Sequence, residues 1–203
     1  MRTLLLGVGI AGVAVASALA QDGLDRASID RAITDSWRRI APDWAQRLRQ
    51  DETQADCSRY RNNPPQAVAA AIQARAQASI KYPADGKLMG DWKKGEKLAQ
   101  SGYGMRFTDY PPRAENGGNC FACHQLDPKE LSYGTLGPSL AAYGKDRKFA
   151  PAEVKAVYER IYNPQAAIAC ANMPRMGANG FLSLEQIADL TAYVMAPESP
   201  VNK

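Results

Sequence analysis

Apolar residues recur at three- and four-residue steps along much of this chain. Over residues 29–48, Ile29, Ile33, Trp37, Ile40 and Trp44 share one face, which predicts a helix. Residues 66–80 follow Pro65 and are rich in alanine. Helix propensity there is high, but alanine buries little area, so this helix is expected to pack against other elements without forming a core of its own. Proline and glycine punctuate residues 83–90, and a new helical segment begins at Asp91. After an irregular stretch at 102–118, Pro151 opens a helix with the stripe Val154, Val157, Tyr158, Ile161 and Tyr162; Asn163-Pro164 ends it. Proline suits that first position because its missing N–H would have no partner there. A capping box, Ser183 with Gln186, starts the last helix, whose face carries Ile187, Leu190, Thr191 and Val194 before Pro197. The sequence holds no sustained alternation of strand type, no repeat and no glycine-rich phosphate loop, so the expected class is all-α.

The N-terminus adds an address. An apolar run over residues 4–18 follows Arg2 and ends in Ala18-Leu19-Ala20, which reads as a secretory signal peptide cut after Ala20. The run is shorter than the roughly 20 residues of a spanning helix, and no later segment qualifies, so no membrane partner is expected. The expected organisation is signal peptide 1–20, helical N-terminal extension 21–85 and a second domain 86–203, with the boundary near Gly86. The whole chain has 25 Lys+Arg against 21 Asp+Glu, and loss of Arg2 with the leader leaves a formal charge of +3. This modest balance predicts no nucleic-acid partner. Arg38, Arg39, Arg47 and Arg49 are interspersed with acids and read as a solvated helix face.

Chemistry enters at Cys120-Phe121-Ala122-Cys123-His124. CxxCH is the signature of covalent haem attachment: two closely spaced thiols add to the two vinyl groups of one porphyrin, and the adjacent imidazole comes under the iron. A zinc site would have to recruit Cys57 or Cys170, and a thioredoxin-like pair would need a βαβ context that the pattern lacks. His124 is the only histidine, so one covalently bound haem c is expected, and a second histidine ligand from this chain is impossible. Its two propionates would bring the exported chain close to +1. The sixth ligand expected is Met173, stiffened by Pro174, with Met176 as the rival and gap-filling packing as the alternative role for both. The carbonyl of Pro138 is the candidate acceptor for the remaining ring N–H of His124. Cys57 and Cys170, left over in an oxidising compartment, most simply form a disulfide that joins the extension to the methionine loop.

Residues 90–193 resemble class I cytochrome c: an N-terminal helix, CxxCH, a Gly-Pro loop, a Met-Pro ligand loop and a C-terminal helix. More closely, Gly117-Gly118-Asn119-Cys120-Phe121-Ala122-Cys123-His124, Leu136-Gly137-Pro138-Ser139-Leu140, Met173-Pro174-Arg175 and Gly180-Phe181-Leu182-Ser183 resemble SoxX, the mono-haem subunit family of the SoxAX complex of thiosulfate oxidation. The resemblance implies a class I cytochrome c fold with an N-terminal helical extension, haem on Cys120 and Cys123, and His124 and Met173 as axial iron ligands. It also implies a periplasmic location, a heterodimer with the larger SoxA cytochrome, transient contact with the SoxYZ carrier, and a soluble cytochrome c acceptor. In that family the complex couples thiosulfate to a carrier-protein cysteine, with catalysis in the partner, so no catalytic residue is expected here. The extension reads as partner-binding surface, with packing on the haem domain equally compatible. A free-standing electron carrier needs the same haem and ligands; a haem peroxidase would need distal acid-base groups and an open iron face.

Overall fold

The structure, a computed structural model, describes residues 25–37, 48–109 and 113–203. All regular structure among them is helical, and no helix there is long and apolar enough to cross a membrane. The chain divides into two compact units, 1–39 and 40–203. In the first, helix α1 (Arg26–Ser36) starts at Asp25, whose carboxylate accepts the Ser28 N–H at 2.9 Å. It stops at Trp37, where φ −114 and ψ 55 leave the helical region; the helix expected over 29–48 is therefore shorter at this end, and Ile40 and Trp44 lie outside the described residues. So do the leader residues 1–20 and Arg38, Arg39 and Arg47.

The second unit is organised by a crossing of α4 (Trp92–Gln100) and α7 (Leu184–Met195). Gly95 permits it: a Cβ there would lie 2.1 Å from the Asp189 carbonyl oxygen and 2.8 Å from Tyr193 Cβ, so the backbones touch where only hydrogen fits. Two polar contacts lock the crossing, Gly90 N–H to Ala188 O at 3.0 Å and Asp91 N–H to Asp189 Oδ1 at 2.7 Å. The capping box forms as the sequence suggests, with Gln186 N–H on Ser183 Oγ at 3.1 Å and Ser183 N–H on Gln186 Oε1 at 2.9 Å. Beyond it α7 is buried from Ile187 to Met195. α6 (Pro151–Tyr162) adds Val157, Tyr158, Ile161 and Tyr162 to the same core. Fully buried Ile187 alone is worth about 2 kcal/mol of transfer free energy. Between α4 and α6 lies the short α5 (Tyr143–Asp146).

Residues 48–85 belong to this same unit and form an arm on it, although sequence punctuation suggests a boundary near Gly86. α2 (Glu52–Arg59) and α3 (Gln66–Ser79) are held together by Arg75, which reaches Glu52 at 2.9 Å and Asp56 at 2.7 Å. The alanine-rich α3 buries only Ile72 and Ala76, and it lies against the turn Pro164–Ala166 that follows α6. A small second core of Cys57, Ile72 and Cys170 seals this contact. Further along, Tyr158 OH donates to Lys81 O at 3.0 Å, Asn163 Nδ2 donates to Ser79 Oγ at 3.0 Å, and Tyr82 OH donates to Glu159, which Lys155 also pairs.

Burial raises the Glu159 carboxyl pKa, but Lys155, Tyr82 and Gln77 outweigh it and hold the group below its ordinary 4.5. A lowered native pKa means that the contribution is present above 4.5 and fades as pH falls through the native value. Melting of Glu159→Gln against the parent across pH should show a deficit at neutral pH that shrinks in acid; a constant deficit would contradict the assignment. Gly95→Ala should cost about 3 kcal/mol, the upper range for overpacking, in denaturant unfolding.

Candidate haem attachment site

The motif hangs from the end of α4. The Leu98 carbonyl accepts the Gly118 N–H at 2.7 Å and the Ser101 carbonyl accepts the Asn119 N–H at 2.9 Å. Asn119 then takes φ +50, in the left-handed region that Asn tolerates better than most residues, and turns the chain into a 3-10 turn, Cys120–Ala122. Cys123 N–H and His124 N–H both return to Cys120 O, at 3.0 and 2.9 Å, so one tight turn carries both thiols and the imidazole. Both cysteines are unbridged. Burial pushes the pKa of the unmodified Cys120 thiol up to about 12.

A second strand of backbone is tied over the turn. Gly134 N–H meets Phe121 O at 2.9 Å, Gly137 N–H meets Cys123 O at 2.8 Å and Leu140 N–H meets Gln125 O at 2.8 Å. This brings the Pro138 carbonyl 2.7 Å from His124 Nδ1. A carbonyl can only accept, so Nδ1 carries the proton and Nε2 keeps its lone pair for a metal. Gly137 is what lets the loop come so close, since a Cβ there would sit 2.2 Å from His124 Cε1. The Gly-Pro spacing pointed to the carbonyl but not to this steric requirement; a glycine beside the ring acceptor was the only signal.

The structure separates the two methionines. Met176 is 5% exposed within the main core, and its carbonyl accepts from Phe181 at 2.9 Å and Leu182 at 3.1 Å. Met173 is half-buried at the edge of that core. Cys57 and Cys170 are joined in a disulfide across 113 residues, and a loop of that length restricts the unfolded chain by about 4.7 kcal/mol. Their bridging also removes them as zinc ligands, and among the described residues no group of three or more His, Cys, Asp or Glu could hold a metal ion.

A family model described as cytochrome c matches residues 93–196, half of the chain. The chain belongs to the cytochrome c family. This cytochrome is also similar to an "Uncharacterized lipoprotein" of Aquifex aeolicus (strain VF5), 42% identical over 155 residues that cover 76% of this chain and 73% of the relative. Family membership carries a covalently bound haem c and electron transfer by haem, and the residues present fit that group. Two unbridged thiols lie in one turn, the imidazole has its tautomer fixed, and a methionine sits at the core edge, unlike its fully buried neighbour. When bound, the haem supplies an iron that alternates between ferrous and ferric. The chain's own part is to hold the thioether positions, orient one imidazole through Pro138 and surround them with apolar residues such as Leu126.

Gly137→Ala should push the His124 ring away from Pro138 and lower the yield of low-spin haem, read by absorption of the purified protein. Met173→Ala should convert ferric haem to a high-spin spectrum. Met176→Ala should keep the low-spin spectrum and instead cost about 2–5 kcal/mol of stability, as for other buried large-to-small changes.

Proposed function

We propose that this cytochrome is a SoxX-type subunit: the mono-haem electron-transfer partner of a larger SoxA-type cytochrome, in a complex that oxidatively couples thiosulfate to a cysteine of a SoxYZ-type carrier. The observation that carries this reading is the set of segments 117–124, 136–140, 173–175 and 180–183, which resembles the SoxX family. The 48–85 arm, which a minimal haem domain lacks, supports the same reading.

In this scheme joining a carrier thiol to thiosulfate forms a sulfur–sulfur bond and releases one proton and two electrons. Substrate chemistry belongs to the partner. This chain accepts the electrons one at a time at its single haem and hands them to a soluble cytochrome c acceptor. Met173 and His124 would hold the iron of a bound haem, and a thioether ligand would stabilise the reduced iron and favour outer-sphere transfer over haem catalysis. Export follows from the leader pattern and is in keeping with a relative whose printed name is a lipoprotein. We place the mature protein in the periplasm, beginning at Gln21.

Affinity capture of the tagged cytochrome from its native periplasm should recover a larger haem protein in equal amount, and thiosulfate should reduce the haem only in that complex. Recovery of a monomer that exchanges electrons with several small redox proteins would favour the free-standing carrier. Intact mass should show one haem and a chain starting at Gln21.

A further inference from the structure

The stretch between α6 and α7 carries Met173, yet the haem unit itself holds it loosely. Among the described residues, the backbone hydrogen bonds made by N–H groups of 168–176 are all local: Ile168 to Pro164, Ala171 to Ile168 and Met176 to Pro174. Firm anchoring resumes only beyond Met176, where Gly177 and Ala178 N–H reach Tyr162 O at 3.0 and 3.1 Å. Over residues 167–175 the long-range polar ties come from the arm, while Met173 packs against the edge of the main core. Gln73 Nε2 donates to Ala167 O at 2.8 Å, Cys57 bridges Cys170, and Asp51 pairs with Arg175 at 2.7 Å.

Two of these ties bracket Met173 closely, one three residues before it and one two residues after. Cys170 has φ +59, a left-handed conformation that is costly for a residue with a Cβ and persists only where its surroundings impose it. Arg175 has only 15% of its side chain exposed, so the pair with Asp51 is shielded on the loop side. Apolar packing between arm and loop is confined to the small cluster of Cys57, Ile72 and Cys170 with Val68 and Ala169. A polar cleft of about 220 Å³, lined by Asp51, Thr53, Arg75, Asn163, Gln165 and Arg175, separates arm from loop.

We propose that the 48–85 arm fixes the sixth ligand of the iron, with Asp51 and Cys57 as positioning residues that act through Arg175 and Cys170 to keep the Met173 sulfur at the metal. The proposal rests on Met173 being that ligand. In its absence the loop opens more often, the thioether leaves more often, and small ligands reach the iron faster.

The test uses the full-length holoprotein. Asp51→Asn keeps a side chain that caps α2 while removing the charge, and Cys57→Ser with Cys170→Ser removes the bridge. In both, the arm stays attached through Lys81, Tyr82 and Ser79. Three readouts separate positioning from general stability: the methionine-to-ferric-iron charge-transfer band, the rate at which free imidazole displaces the methionine, and amide exchange of residues 168–175. Displacement should accelerate about tenfold in the double cysteine variant and about threefold in Asp51→Asn, with weaker bands and faster exchange, tenfold corresponding to about 1.4 kcal/mol of loop opening. Parent-like rates and bands in these variants, with Met173→Ala alone losing the band, would overturn the proposal and leave the ligand assignment standing. If Met173→Ala keeps the band and Met176→Leu loses it, the ligand assignment fails and the proposal falls with it.

Discussion

Contact between two helix backbones at Gly95 governs the rest of the haem unit. With no side chain between them, α4 and α7 approach until Gly95 meets the Asp189 carbonyl, and this fixes where α4 ends. The carbonyls near that end, Leu98 and Ser101, then receive Gly118 and Asn119, so the position of the CxxCH turn is inherited from the helix crossing. Gly118 itself lies against Cys120 and Leu190, which ties the attachment cysteine to α7 as well. Buried Asp189 sits at the crossing. Burial raises its carboxyl pKa against the opposing hydrogen bond from Asp91, a polar cost accepted where the start of α4 is pinned to the middle of α7.

The imidazole is controlled by a different device. One carbonyl acceptor sets the tautomer of His124, and three backbone hydrogen bonds carry that carbonyl into place. Among the described residues the hydrogen-bond partner given to the ring is this carbonyl, which does not titrate. On the methionine side the logic reverses: the loop is poor in long-range backbone bonds and is held from outside by a disulfide and an ion pair to a separate helical arm. The His124 turn and the Met173 loop therefore differ in how their geometry responds to change elsewhere in the chain.

Much of this was legible in the residues. The stripes on α6 and α7, the Ser183 capping box and the Pro151 start all lie where three- and four-residue periodicity and helix-start chemistry place them. CxxCH with a lone histidine named the chemistry, and family membership agrees with it. Less legible was the end of α1: periodic apolar residues continue past Ser36, while the backbone at Trp37 leaves the helix. The arm shows the other weakness of pattern reading. Proline and glycine near Gly86 look like a domain border, yet Ile72, Ser79, Lys81 and Tyr82 bind residues 48–85 to the same unit.

By itself the sequence determined the helical class, the covalent attachment chemistry and the exclusion of a second histidine ligand from this chain, because these depend on residue type and on separations of a few positions. Tertiary structure alone decided which methionine is locked into the core, that Gly95 and Gly137 are steric necessities, and that Asp51 meets Arg175. Those outcomes depend on the approach of segments far apart in the chain, and local spacing carries no record of the distance at which such segments finally pack.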